Sequence, residues 1–186
     1  MKQVLTFIAF LYSTFLFAQT GNCDSIPWSK ERKLSWADFK ATPDTGSKDT
    51  AQSYIRLHKK WSLRADTLTI TVAGYFKPCF AWTKSKNADT LLMHEQGHFD
   101  ISEYFRRLMV KRFSEQNFKR ESFKKEIEAI NLDIQTQQTA FVALYESKTD
   151  HSKNRAQQIE WTNKIRSLVE SLKEFDQFKL IKLLDQ

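Results

Sequence analysis

The decapeptide Leu92-Met93-His94-Glu95-Gln96-Gly97-His98-Phe99-Asp100-Ile101 decides how the rest of this chain is read. Four helical residues turn through about 400°, so His94 and His98 point the same way, one turn apart. The same stripe continues through Ile101, Phe105 and Leu108. A helix is therefore predicted from about residue 88, capped by Asn87 or Asp89, with both imidazoles on its inward face. Two further helical stripes follow. One begins near residue 121 with Phe123, Ile127, Ile130, Ile134, Phe141 and Leu144. The other begins near Ser152 with Trp161, Ile165, Leu168, Leu172 and Phe175. Upstream of the decapeptide the period changes. Residues 51–63 alternate loosely, and 68–76 are rich in β-branched and aromatic residues, so two antiparallel strands joined by a turn at 64–66 are predicted.

Composition agrees with this division. The 186 residues are 41% hydrophobic with 15 Phe, enough for one sizeable core, and they hold only 4 Gly and 3 Pro. No Pro follows Pro78, and Gly97 is the one Gly after Gly74. A β-sandwich or barrel would need more turn residues than that. The expected fold is α+β and zincin-like: a small antiparallel sheet packed on an active-site helix, with two further long helices. It is expected to form one domain, residues 19–186.

The N-terminus reads as an address. Lys2 supplies a positive start, Val4 to Phe17 is a short apolar run, and Ala18 is the small residue before a polar stretch. Residues 1–18 are expected to be a signal peptide, which sends the mature chain to the periplasm or the extracellular space without a membrane span. Export makes a Cys23–Cys79 disulfide permissible. The formal charge of +7 comes from 29 Lys plus Arg against 22 Asp plus Glu. The densest basic runs, Lys30 to Lys33 and Lys119 to Lys125, contain acids and read as solvated faces, so no nucleic-acid partner is expected.

His94-Glu95-Gln96-Gly97-His98 is an H-E-x-x-H motif. With 4 His and 11 Glu in the chain, it arises by chance in about one such sequence in two hundred. The spacing lets two ring nitrogens reach one Zn²⁺, while Glu95, at the edge of the same face, serves as general base to a bound water. Gly97 costs the helix about 1 kcal/mol against Ala, which suggests that another segment approaches closely there. Two core histidines held by hydrogen bonds are the bland alternative, and an unliganded buried pair is costly. A third ligand must come from elsewhere, because Asp100 and Glu103 point away from the histidines on the same helix. His58 sits in a strand. His151 is better placed, since the second helix carries the chain back to the level of the motif. Glu146 is the acidic alternative, with Glu126 and Glu128 behind it. Tyr145 is a candidate hydrogen-bond donor to an oxyanion.

With these residues in view, the chain resembles a group of exported bacterial proteins known as domain of unknown function 922, regarded as zinc metallopeptidases of the zincin type. The resemblance rests on the decapeptide, on Leu34-Ser35-Trp36-Ala37-Asp38-Phe39, on Phe80-Ala81-Trp82, and on Tyr145 to His151 followed by Gln157 and Trp161. In that last segment the family tends to have Asp after the Tyr and Gly after the His, where this chain has Glu146 and Ser152. The resemblance implies zinc on His94 and His98, Glu95 as base, and His151 as the favoured third ligand. It also implies a peptide or protein substrate. A zinc amidase acting on cell-wall material, and a non-catalytic secreted interaction protein, are the rival expectations.

Overall fold

A computed structural model describes residues 23–185 of the chain; the expected signal peptide, 1–18, lies outside them. The fold is α+β, with three helices and a small antiparallel sheet. Strands β1 (Ile26–Pro27), β3 (Ile55–Arg64), β4 (Thr67–Phe76) and β6 (Lys179–Leu183) form the sheet. The central strand is β4, paired along its length with β3 and, on its other edge, with β1 at one end and β6 at the other. A second, two-stranded pair joins β2 (Ala51–Gln52) to β5 (Trp82–Thr83). Helices α1 (Asp89–Glu115), α2 (Phe123–Thr149) and α3 (Arg155–Ser171) follow.

The two long strands form as their residues require. Leu68, Ile70, Val72 and Phe76 alternate with Thr67, Thr69 and Thr71 along β4, so one face is apolar and buried and the other polar. The turn between β3 and β4 is the dipeptide Ala65-Asp66, with Ala65 in the left-handed region at φ 49° that such tight hairpins use. Helix α1 begins after Ala88, which does not cap it with a side chain; neither Asn87 nor Asp89 is the cap. Asp89 instead sits in the first turn, where the helix dipole favours an acid.

Helix α1 lies across the apolar face of the sheet and is the centre of the packing. Ile101, Phe105, Met109, Val110 and Phe113 meet Leu68, Ile70 and Val72 from the sheet, Ile127, Ile130 and Ile134 from α2, and Trp161, Ile165 and Val169 from α3. A second cluster of Leu34, Phe39, Phe76, Ala81 and Phe99 holds the early Leu34-to-Phe39 segment against the start of α1. Gln96 and Asp100 secure that segment from the helix side: Leu34 N donates to Gln96 Oε1 at 2.8 Å, and Trp28 Nε1 donates to Asp100 Oδ1 at 2.7 Å.

On the far side of α1 lies a buried charge cluster. Arg106 and Arg107 both donate to the Glu103 carboxylate at 2.7 Å. Their remaining donors go to backbone carbonyls of Asp176, Gln177 and Val169. The two guanidiniums share one carboxylate and turn further donors to carbonyls, so no buried charge is left without a partner. The consequence is architectural, because these bonds seat the chain after α3 so that it can turn into β6. That strand is absent from the sequence expectation, where Phe175 was read as the end of a helical stripe. Lys179 to Leu183 is too short for periodicity to separate it from a frayed helix end.

Cys23 and Cys79 are joined by a disulfide with Cα atoms 5.6 Å apart, tying the strand-leading segment to the one-turn helix Pro78–Phe80. The bridge closes a loop spanning 56 positions, worth about 4 kcal/mol in lost unfolded-state entropy. Replacing both cysteines with alanine is expected to lower stability by about 2–4 kcal/mol in urea unfolding, with the folded-state circular dichroism unchanged.

Candidate metal centre

The first three turns of α1 carry His94 and His98 into a cleft of about 990 Å³. Helix α1 is its floor, with β3 and the Ala51-to-Ser53 segment on one side and α2 on the other. Nε2 of His94 and Nε2 of His98 are 3.2 Å apart. The third donor is Glu146, in the last turns of α2. One of its carboxylate oxygens is 2.8 Å from His98 Nε2 and the other 3.4 Å from His94 Nε2. These three residues offer ligand atoms all within 4.8 Å of one another, the set among the described residues that could hold a metal ion. Ligands bound at 2.0–2.1 Å in a tetrahedron lie about 3.4 Å from each other; the two imidazole nitrogens are near that spacing, and the carboxylate, whose two oxygens each meet a different histidine, would turn one oxygen to a shared ion.

A closed loop of hydrogen bonds fixes His94. Its Nδ1 lies 3.0 Å from Oε1 of Gln158, on the first turn of α3. That oxygen only accepts, so Nδ1 carries the proton and Nε2 keeps its lone pair toward the cleft. The Gln158 amide nitrogen donates to the Tyr145 hydroxyl at 2.7 Å. Tyr145 in turn donates to the backbone carbonyl of His94 at 3.0 Å. The loop begins and ends on the same residue. The Tyr145 ring stacks on the His94 imidazole with centroids 4.8 Å apart and planes 10° from parallel. Thr149, one turn on, lies behind the ring at 3.4 Å from Nδ1.

Gly97 makes this possible. A Cβ at position 97 would fall on the Tyr145 hydroxyl and lie 2.8 Å from its ring carbon Cζ. The close approach that Gly97 suggests in the sequence is therefore the approach of α2 to α1 at the level of the histidines.

Glu95 is also buried, and its side chain lines the same cleft. Oε2 accepts a 2.5 Å hydrogen bond from the Ser53 hydroxyl, on the short segment between β2 and β3. Ser53 thus holds one carboxylate oxygen of Glu95, a role that nothing in the sequence spacing reveals.

Of the two candidates for third ligand, the favoured His151 and the acidic alternative Glu146, the cluster of described residues that could hold a metal ion contains Glu146. The last turns of α2 already stand at the level of the motif, so a side chain of the helix itself arrives before the loop beyond it. His151 also lines the cleft; its side chain is 68% exposed, and its Nδ1 lies 2.8 Å from Oε2 of Glu146, the oxygen that faces His94 Nε2. It sits in a turn where Asp150, His151 and Ser152 all have positive φ, at 47°, 49° and 74°. Three successive left-handed non-glycine residues are strained. Tyr145 was expected to face an oxyanion. It is fully buried, and its one proton is already given to the His94 carbonyl. Its work is to position His94.

The electrostatics follow from this burial. Burial opposes ionisation of Glu146, but hydrogen bonds and charge from His94 and His98 outweigh it and hold the carboxyl well below the usual carboxylate range. Burial disfavours a charged His94; the hydrogen bond and charge of Glu146 prevail and raise its pKa. Burial above all pushes the Tyr145 phenol up, so it stays a donor at every physiological pH. Comparison with protein-family models, with characterised proteins and with solved structures finds no match for this chain.

Two tests follow from the loop and its charges. Gln158→Leu removes the acceptor that fixes the His94 tautomer and is expected to weaken zinc affinity about 10–100-fold by competition titration. In chelator-treated protein, the raised His94 contributes stability that is present below its unfolded value and lost as pH rises through its folded one. The lowered Glu146 contributes above its unfolded value and is lost on acidification. Thermal stability of that form is thus expected to peak at about pH 5–6. Added zinc, which needs neutral imidazoles, is expected to move the maximum to higher pH.

Proposed function

We propose that this chain is an exported zinc-dependent metallohydrolase, most directly a peptidase with a zincin-like arrangement. The observation that carries the reading is the convergence of His94, His98 and Glu146 on one point of a cleft that Glu95 also lines. Two imidazoles and one carboxylate are the ligand chemistry of catalytic zinc sites, which leave a position open. The buried Glu95 has no use in a purely structural site. The disulfide supports an oxidising compartment and so an exported protein.

His94, His98 and Glu146 hold the metal in this reading, and bound zinc supplies a Lewis acid for the carbonyl and a more acidic water. Glu95 accepts the proton of the attacking water and returns it to the leaving amine. Ser53 holds one carboxylate oxygen, so the other faces the water. Gln158 and Tyr145 keep His94 in its ligand tautomer. The cleft between β3 and α2 receives the chain to be cut.

The test uses residues 19–186 refolded with zinc. The wild type is expected to bind one zinc and to cleave peptide substrates. Glu95→Gln is expected to keep the metal and lose about 10²–10⁴-fold in activity, the usual contribution of a positioned base. Glu146→Ala is expected to lose the metal, and His151→Ala to retain it. A wild type that takes up no zinc would remove the centre altogether, and loss of metal from His151→Ala but not from Glu146→Ala would restore the other ligand set. Release of fragments from purified cell wall with no cleavage of peptides would move the substrate to the amidase class.

A further inference from the structure

The four strands of the sheet contain no acidic residue, while Arg56, Lys59, Lys60, Arg64, Lys179 and Lys182 all lie in them. In the sequence these bases are scattered over well over a hundred positions and look like ordinary surface charge. Strand register brings four of them, Arg56, Lys60, Arg64 and Lys179, onto one face, while Lys59 and Lys182, paired with Val72 and Leu68, lie on the other. Residues paired across antiparallel strands share a face. Lys60, Thr71 and Lys179 make one row; Ser62, Thr69 and Ile181 the next; Arg64, Thr67 and Leu183 the third. Arg56 extends the face beside Tyr75. This is the face opposite Leu68, Ile70 and Val72, and so opposite α1.

Three features separate this face from an ordinary solvated one. Lys60, Arg64 and Lys179 are exposed, and none has an ion-pair partner among the described residues. Asp66, in the adjoining turn, is already paired with Arg120. Between and beside the bases stand two bare aliphatic side chains, Ile181 at 59% and Leu183 at 74% exposure. Thr67, Thr69 and Thr71 of the central strand keep the middle of the face uncharged, between Lys60 and Arg64 on one edge and Lys179 on the other.

We propose that this outer sheet face docks the protein on an anionic lipid bilayer. The charge complementarity selects an anionic partner, and the aliphatic pair selects a bilayer over a soluble polyanion. Ile181 and Leu183 gain by entering the acyl boundary, where cationic side chains beside them reach the headgroup phosphates. Against a dissolved polyanion the same two side chains would remain in water. Basic residues near a negative membrane surface each strengthen binding about fivefold, and the attraction is screened by salt. Docking is independent of metal and of the proposed hydrolysis.

The experiment is co-sedimentation of residues 19–186, which contain every described element, with vesicles of phosphatidylcholine alone or mixed with phosphatidylglycerol. Binding is expected only to the mixed vesicles and is expected to weaken as salt is raised. The Lys60→Glu, Arg64→Glu, Lys179→Glu triple variant is expected to lose more than about a hundredfold in affinity. Ile181→Ser with Leu183→Ser is expected to weaken binding severalfold at constant charge. Zinc content and thermal unfolding measured alongside show that each variant is folded; should the triple variant not fold, the three glutamine replacements serve in its place. Equal binding to both vesicle types, or undiminished binding by the charge variants, would overturn the proposal. So would binding to heparin or nucleic acid that is indifferent to Ile181 and Leu183, with none to vesicles.

Discussion

The hydrogen-bonded loop through His94, Gln158 and Tyr145 is the constraint around which the helices are arranged. It uses one residue from each of α1, α2 and α3, and each of its three bonds joins two different helices in the buried interior. Leaving any of its polar groups unpaired would cost about 1–3 kcal/mol, so the three helices cannot slide past one another without breaking it. The loop also explains the one glycine of the helical half. Tyr145 can reach the His94 carbonyl only where α1 presents no side chain, and position 97 is that place.

Once α2 is held this way, the direction of its neighbouring side chain is set as well. Successive residues on a helix differ by about 100°. With Tyr145 turned under α1, Glu146 is turned into the cleft, between the two histidines. Structural and chemical roles therefore fall on adjacent residues, one apolar-faced and buried, the other charged and lining the opening. The acids gather on helices and loops, and the sheet carries only bases. The molecule thus has a cleft whose cation-binding groups are acidic and imidazole, and a separate cationic face on the other side of the sheet. A net charge of +7 conceals that separation.

Much of this could be seen in the chain before its structure. His94, His98, Ile101 and Phe105 share a stripe because a helix repeats every 3.6 residues, and that period survives folding unchanged. The β-branched and aromatic richness of residues 68–76 and the anomaly of Gly97 were legible for the same kind of local reason. What escaped notice was non-local. Gln158 and Ser53 are a glutamine and a serine in unremarkable surroundings, and only their distance to His94 and Glu95 gives them meaning. Lys179 to Leu183 became a strand because Arg106 and Arg107 hold the preceding carbonyls where β4 has a free edge. His151 and Glu146 lie five residues apart, and choosing between them required knowing where α2 ends relative to α1 to within a turn.

The sequence by itself determined which side chains share a face: the paired imidazoles, Glu95 at their edge, the apolar stripes of three helices, and the alternation of the central strand. These follow from backbone periodicities of 3.6 and 2, which each segment carries alone. Tertiary structure decided which faces meet. It brought Glu146 into one cluster with the two histidines, tied Tyr145 to His94, and gathered Arg56, Lys60, Arg64 and Lys179 on one face. Those outcomes depend on the relative translation of packed elements by a few ångströms, and no local period encodes that quantity.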